Sequence, residues 1–179
     1  MFDVITTDLP GVRLLRPAVR ADARGRFVKL MHREFFRDHG LETDFAEQYY
    51  SVSLPGVVRG LHFQLPPHHH HKLVACLAGA VRDVVLDLRR ASPTYGRHIV
   101  VTLGAADGAC LYIPAGCAHG FAVQEGPATL LYDVGTVYAP AHDAGVRWDS
   151  AGIDWGVTRP IVSARDAALP ALSDFVSPF

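Results

Sequence analysis

The chain has 179 residues, of which 49% are hydrophobic and 20% charged, and it carries a formal net charge of −1 at pH 7. That length suffices for one domain with its own core. The near-neutral charge argues against non-specific binding to nucleic acid or to a membrane surface. Charges and prolines break "MFDVITTDLPGVRLLRP", so neither a signal peptide nor an apolar span is expected there, and a cytoplasmic location is the default. Cys76, Cys110 and Cys117 form neither a C-x-x-C nor a paired framework, and reduced thiols are expected.

In chain order, the best helix candidate is "HREFFRDHGLE", with Gly40 placed to end it. "KLVACLAGAVRDVVLDLR" reads as two strands joined at Ala78-Gly79. "HIVVTLG", "ACLYIP", "HGFAVQ" and "ATLLYDVGTVY" follow as further strands, separated by "SPTYG", "AADG", "PAG" and "EGP". In "VRDVVLDL", Arg82, Val84, Leu86 and Leu88 are mostly apolar while Val81, Asp83, Val85 and Asp87 are mixed, so both faces are expected to be partly covered. A weaker helix signal lies in "SARDAALPALSDF". Many short strands punctuated by Gly and Pro favour a sandwich or barrel.

The segment "GACLYIPAGCAHGF" sharpens this. Gly108, Pro114, Gly116 and His119 have the spacing of the second signature of the cupin barrel, in which a tight turn at "PAG" returns a strand carrying His119 into the barrel. The expectation is an all-β cupin jelly-roll barrel with short peripheral helices, one domain over 1–179 with its core at roughly 45–140. The run His68–His71 in "RGLHFQLPPHHHHKLV" invites a metal-dependent alternative, in which His69, His71 and His119 form the ligand set. No Glu follows the H-x-H, and Lys72 places a positive charge beside it, so no metal is expected and the run reads as a loop end.

Several motifs in order resemble the dTDP-4-dehydrorhamnose 3,5-epimerases, a family of cupin-fold nucleotide-sugar epimerases. They are "DARGRFVK", "SVSLPGVVRGLHFQ", the strands around "RRASPTYG", "LYIPAGCAHGF", "LLYDVGTVYAP", "GVRWD", "GIDW" and "SARDAALP". The resemblance implies cofactor-independent proton removal and return beside the C4 ketone of a nucleotide-diphospho-4-keto-6-deoxyhexose. Such chemistry needs a base near neutral pKa, a stabiliser for the enolate oxygen and an acid for the opposite face. The matching positions are His62 as base, Asp166 as its carboxylate partner, Lys72 at the keto oxygen and Tyr132 as the acid. Imidazole suits a base because its ordinary pKa lies near ~6.5.

For binding, the resemblance implies His119 in the sugar pocket, and Arg59 with Arg24 of the partner subunit on the diphosphate, where forked guanidinium groups suit phosphate. Phe27, Lys29 and Glu47 match positions around the nucleotide. A homodimer is implied, with the N-terminal strand exchanged between subunits. Three departures stand out. Lys29 occupies a position where the family usually has Glu, while Glu47 and Tyr49 occupy those of a Gln and an Asn. An ion pair between Lys29 and Glu47 would make this a paired change, and it raises a cytidine nucleotide as alternative to thymidine. The motifs leave open epimerisation at C3 or C5 alone.

Overall fold

The computed structural model describes residues 2–179. Eleven strands are formed among them: β1 (Phe2–Thr6), β2 (Arg13–Pro17), β3 (Val19–Asp22), β4 (Gly25–Val28), β5 (Glu47–Ser53), β6 (Val58–Gln64), β7 (Lys72–Asp87), β8 (His98–Gly104), β9 (Cys110–Ile113), β10 (Cys117–Val134) and β11 (Asp143–Gly145). Helix α1 (Arg33–Asp38) falls in "HREFFRDHGLE" and gives way to Gly40 at φ +68°. Helix α2 (Ala164–Ala167) is one turn in the C-terminal segment.

The two long strands β7 and β10 organise the barrel, and here the structure departs from the sequence reading. "KLVACLAGAVRDVVLD" is one strand rather than two, and so is "CAHGFAVQEGPATLLYDV". The expected turn residues fall instead at register shifts of the β7–β10 pair, between Val123 and Leu130. A Cβ on Gly79, at φ +70°, would run into the carbonyl oxygens of Glu125 and Pro127. Its glycine therefore marks a bulge with close backbone approach, not a chain reversal.

Each long strand serves two halves of the barrel. Lys72–Ala75 pair with β9, which continues to β2 and β1, while Ala80–Leu86 pair with β8. On β10, Ala128–Val134 pair with β5, and the earlier part pairs with β6, which carries β11. The halves face each other over one core, in which Val74, Val85, Leu111, Phe121, Leu130 and Tyr132 share a cluster. This is a cupin-like jelly roll.

Both outer faces are covered too, so "VRDVVLDL" is buried on each side. Val84, Leu86 and Leu88 pack outward under Trp155, Phe175 and Phe179 of the C-terminal segment. Leu73 and Ala75 pack outward under Phe2 and Phe36. The β3–β4 hairpin forms a sheet of its own, with Phe27 63% exposed. The three cysteines are free and buried. Among the described residues no helix is long and apolar enough to cross a membrane.

Candidate active site

His62 sits on β6, opposite His119 on β10 and Gly145 on β11. The glycines of "RGLH" and "HGF" permit this. A Cβ on Gly60, at φ +129°, would lie 2.6 Å from Gly120 Cα, and one on Gly120 would lie 2.6 Å from Arg59 O. Leu61 and Phe63 point to the outer cluster under Trp155, which leaves His62 on the cleft side. Its Nε2 is 2.7 Å from Asp166 Oδ1. Asp166 lies in α2, which Ser163 caps by accepting from the Asp166 N–H at 3.0 Å. The second Asp166 oxygen accepts from the Gly60 N–H at 3.1 Å. Burial works to raise this carboxyl, but the bonds from His62 and Gly60, with the Arg165 charge, hold it below the ordinary carboxylate range.

Lys72 opens β7 and is 7% exposed, its Nζ donating to His62 O at 3.3 Å. Burial brings its ammonium down to about 8, against the opposing pull of Asp143 and Asp83. Tyr132, on β10, is buried, and burial pushes its phenol above the ordinary range. Its ring stacks on Tyr49 at a centroid distance of 4.9 Å and meets His119 edge-on at 6.0 Å. His119 Nε2 lies 3.0 and 2.9 Å from the two oxygens of Asp83. Burial raises the Asp83 carboxyl, and His119 and Lys72 partly offset it.

Two compartments result, with Tyr49, His62 and Lys72 lining both. One, of about 350 Å³, is lined by Glu47, Tyr49, His62, Lys72, Tyr138 and Arg165 among others. The other, of about 200 Å³, is lined by Tyr49, Arg59, His62, Lys72, His119 and Tyr132 among others. Thus His62, Lys72, Tyr132, Asp166, Arg59, His119 and Glu47 converge within one chain. Arg59 donates from Nε to Ser53 Oγ at 2.9 Å and is otherwise exposed.

Arg24, Phe27 and Lys29 do not converge with them. Arg24 sits at the hairpin tip, paired to Asp22 at 2.6 Å, and Phe27 and Lys29 are exposed. The ion pair between Lys29 and Glu47 does not form within the chain: Glu47 Oε2 accepts instead from the Tyr138 N–H at 2.6 Å. The metal alternative fails on geometry, because His69 and His71 line a separate concavity with Tyr112, while His119 is bound to Asp83 inside the barrel. Among the described residues no group of three or more His, Cys, Asp or Glu converges as a metal site.

Sequence reasoning missed Gln64, His70, Asp83, Tyr138, Asp143 and Arg165. His70 lines the larger compartment, with Nδ1 2.7 Å from Thr136 Oγ1, and burial together with Lys72 lowers it to about 3, so it is neutral. Gln64 was findable, since it lies two residues beyond His62 on a strand and so shares its face. Asp83 was findable as a carboxylate inside an apolar strand, where an acid needs a partner. Asp143 and Arg165, paired at 2.8 Å, lie outside any periodic pattern.

A cupin-type barrel whose cleft gathers a histidine–carboxylate pair, a buried lysine and a buried tyrosine has the groups that acid–base catalysis needs. The family model described as dTDP-4-dehydrorhamnose 3,5-epimerase matches residues 6–174. A dTDP-4-dehydrorhamnose 3,5-epimerase of Shigella flexneri is 38% identical over 168 residues, covering 92% of this chain and 93% of that protein. The Bacillus anthracis enzyme of that name, solved with TDP and PPi bound, superposes with a TM-score of 0.93 at 35% identity, over 96% of this chain and 100% of the other. A Legionella pneumophila 3,5-epimerase, solved in complex with dTDP-4-keto-L-rhamnose, gives 0.92 at 31% identity, over 97% and 94%. The chain belongs to the dTDP-4-dehydrorhamnose 3,5-epimerase family.

Proposed function

We propose that the protein inverts C3 and C5 of a dTDP-4-keto-6-deoxyhexose by proton transfer. The observation that carries this reading is the His62–Asp166 pair in the same cleft as Lys72 and Tyr132. With the Asp166 carboxylate accepting the Nε2–H, the nitrogen left without a proton is Nδ1, the base. It removes the hydrogen beside the C4 ketone, giving an enolate and an imidazolium that Asp166 stabilises. The Lys72 ammonium offsets the charge on the enolate oxygen. The Tyr132 phenol then gives its proton to the opposite face of the same carbon, which restores the ketone and leaves a phenolate. Solvent resets both groups. Every transfer uses side chains of this protein.

Thymidine is the nucleotide this reading favours over cytidine. Its support is the dTDP sugar bound by the Legionella relative and the TDP bound by the Bacillus one. The homodimer belongs to the same reading. Tyr50, Val52 and Leu54, on and just beyond β5, are 68%, 53% and 62% exposed, an apolar edge suited to a second copy. Docking there would let Arg24, Phe27 and Lys29 of the partner subunit complete the nucleotide site. Reduced Cys76, Cys110 and Cys117 accord with a cytoplasmic location.

The test is incubation with matched dTDP- and CDP-4-keto-6-deoxyglucose in D2O, followed by NMR. Deuterium at both C3 and C5 of the dTDP sugar is expected. Label at one carbon alone would reduce the activity to mono-epimerisation, and preference for the CDP sugar would overturn the thymidine assignment. Loss of all exchange in His62→Ala, with the fold retained, is expected of the base.

A further inference from the structure

Tyr49 has no place in the mechanism above, yet it touches its acid. It is the direct cross-strand partner of Tyr132, β5 against β10. The two rings stack at 4.9 Å with an interplanar angle of 20°. The His119 ring also meets the Tyr132 ring, at an interplanar angle of 70°, and His119 is itself fixed by both oxygens of Asp83. The acid's ring therefore has one anchored aromatic neighbour inside the barrel and one on β5, whose pairing runs along β10. Tyr49 is 43% exposed and borders both compartments of the cleft. It stands where the resemblance leads one to expect an asparagine, which offers no ring to stack.

A general acid works only when its proton lies within hydrogen-bond reach of the carbon it serves, and a small misplacement is costly. We propose that Tyr49 is a positioning residue that holds the Tyr132 phenol for proton delivery to the face opposite His62. This inference rests on the epimerase reading. It predicts a specific defect. With Tyr49 truncated, His62 still removes the proton and, after exchange with solvent, returns a deuteron to the same face. Exchange then proceeds without inversion.

The experiment follows dTDP-4-keto-6-deoxyglucose in D2O by NMR, comparing deuterium in recovered, uninverted sugar with deuterium in the epimerised product. Tyr49→Ala is expected to raise that ratio about tenfold or more, with kcat for inversion falling and KM moving less than about threefold. Tyr49→Phe, which keeps the ring, restores the ratio toward that of the wild type, and Tyr49→Leu does not. Circular dichroism and thermal melting confirm that the variants are folded. Exchange and inversion falling in parallel, a change in KM alone, or an unmoved ratio would each overturn the role of Tyr49 while leaving the epimerase reading intact. A wild-type protein that exchanges neither C3 nor C5 would remove both.

Discussion

His62 Nε2 and Asp166 Oδ1 lie 2.7 Å apart although 104 positions separate the two residues in sequence. The C-terminal segment that covers the barrel's outer face thus also delivers a carboxylate to its cleft. Asp166 is 3% exposed and is held below the ordinary carboxylate range, so it is ionised throughout the neutral range. Asp166→Asn keeps the shape but lets the amide offer a donor to the histidine, which disfavours the working tautomer. The expected loss in kcat is about 10²–10⁴-fold, with a small change in KM. Combining it with His62→Ala should add little, because the two act as a unit. Additive losses in a double-mutant cycle of kcat/KM would argue that Asp166 acts elsewhere.

Acid stability should report on Asp87. This fully buried carboxylate accepts from Arg89 Nε at 2.8 Å, Ser92 Oγ at 2.6 Å and Thr94 Oγ1 at 2.7 Å, which explains the Ser and Thr of "SPTYG". Burial opposes ionisation, but these bonds outweigh it and bring the group from 3.8 down to about 2. The folded value lies below the unfolded one, so its stabilisation is complete above 3.8 and is lost as pH falls toward 2. The contribution is on the order of 2 kcal/mol. Thermal melts of wild type and Asp87→Asn between these limits should converge as pH falls, and parallel curves would contradict the assignment.

Substitution at Gly79 should damage fold and site together. Its φ of +70° disfavours any side chain, and a Cβ there meets backbone oxygens that cannot rotate away. Gly79→Ala is expected to cost about 2–4 kcal/mol in urea unfolding. Since β7 and β10 carry Lys72 and Tyr132 beyond this bulge, activity should fall in the folded fraction as well. A variant as stable as the wild type would show that the strands can part there at little cost.

What was legible in the sequence follows from where the information lies. The strand content and the cupin turn at Pro114–Gly116 are local signals, whereas the cleft residues of β6, β7 and β10 are reached only through the resemblance of their motifs to the family. The motif glycines Gly60 and Gly120 sit where the backbone approaches another strand. The long strands were misread because Gly79 and "EGP" carry turn chemistry, while pairing of β7 with β10 turns it into bulges. Asp143 and Arg165 escaped because β11 and α2, which carry them, are three and four residues long and too short to show a period. The histidine run was divided by packing: His70 turns to the cleft, whereas His71 packs on Phe45 and Tyr112.

The pH dependence of the reaction should carry the signature of Lys72. Lys72 is 7% exposed, and its ammonium donates to the carbonyl of His62, the proposed base. Burial lowers it from 10.5 to about 8, so it is charged at neutral pH and neutral in mild alkali. The enolate loses its counter-charge as pH rises through about 8, and kcat should fall there. Lys72→Met removes the charge at every pH: the alkaline limb should vanish and kcat should drop about 10²–10³-fold. Lys72→Arg keeps a charge that does not titrate, so its limb should also flatten, though at a lower rate because a planar fork does not fit a point-charge site. Stability should move the other way. The folded value lies below the unfolded one, the unfolded chain binds more protons between about 8 and 10.5, and stability therefore rises with pH across that window. Lys72→Met should be the more stable protein at pH 7 even as it loses activity. An unchanged alkaline limb in Lys72→Met would assign that titration to another group.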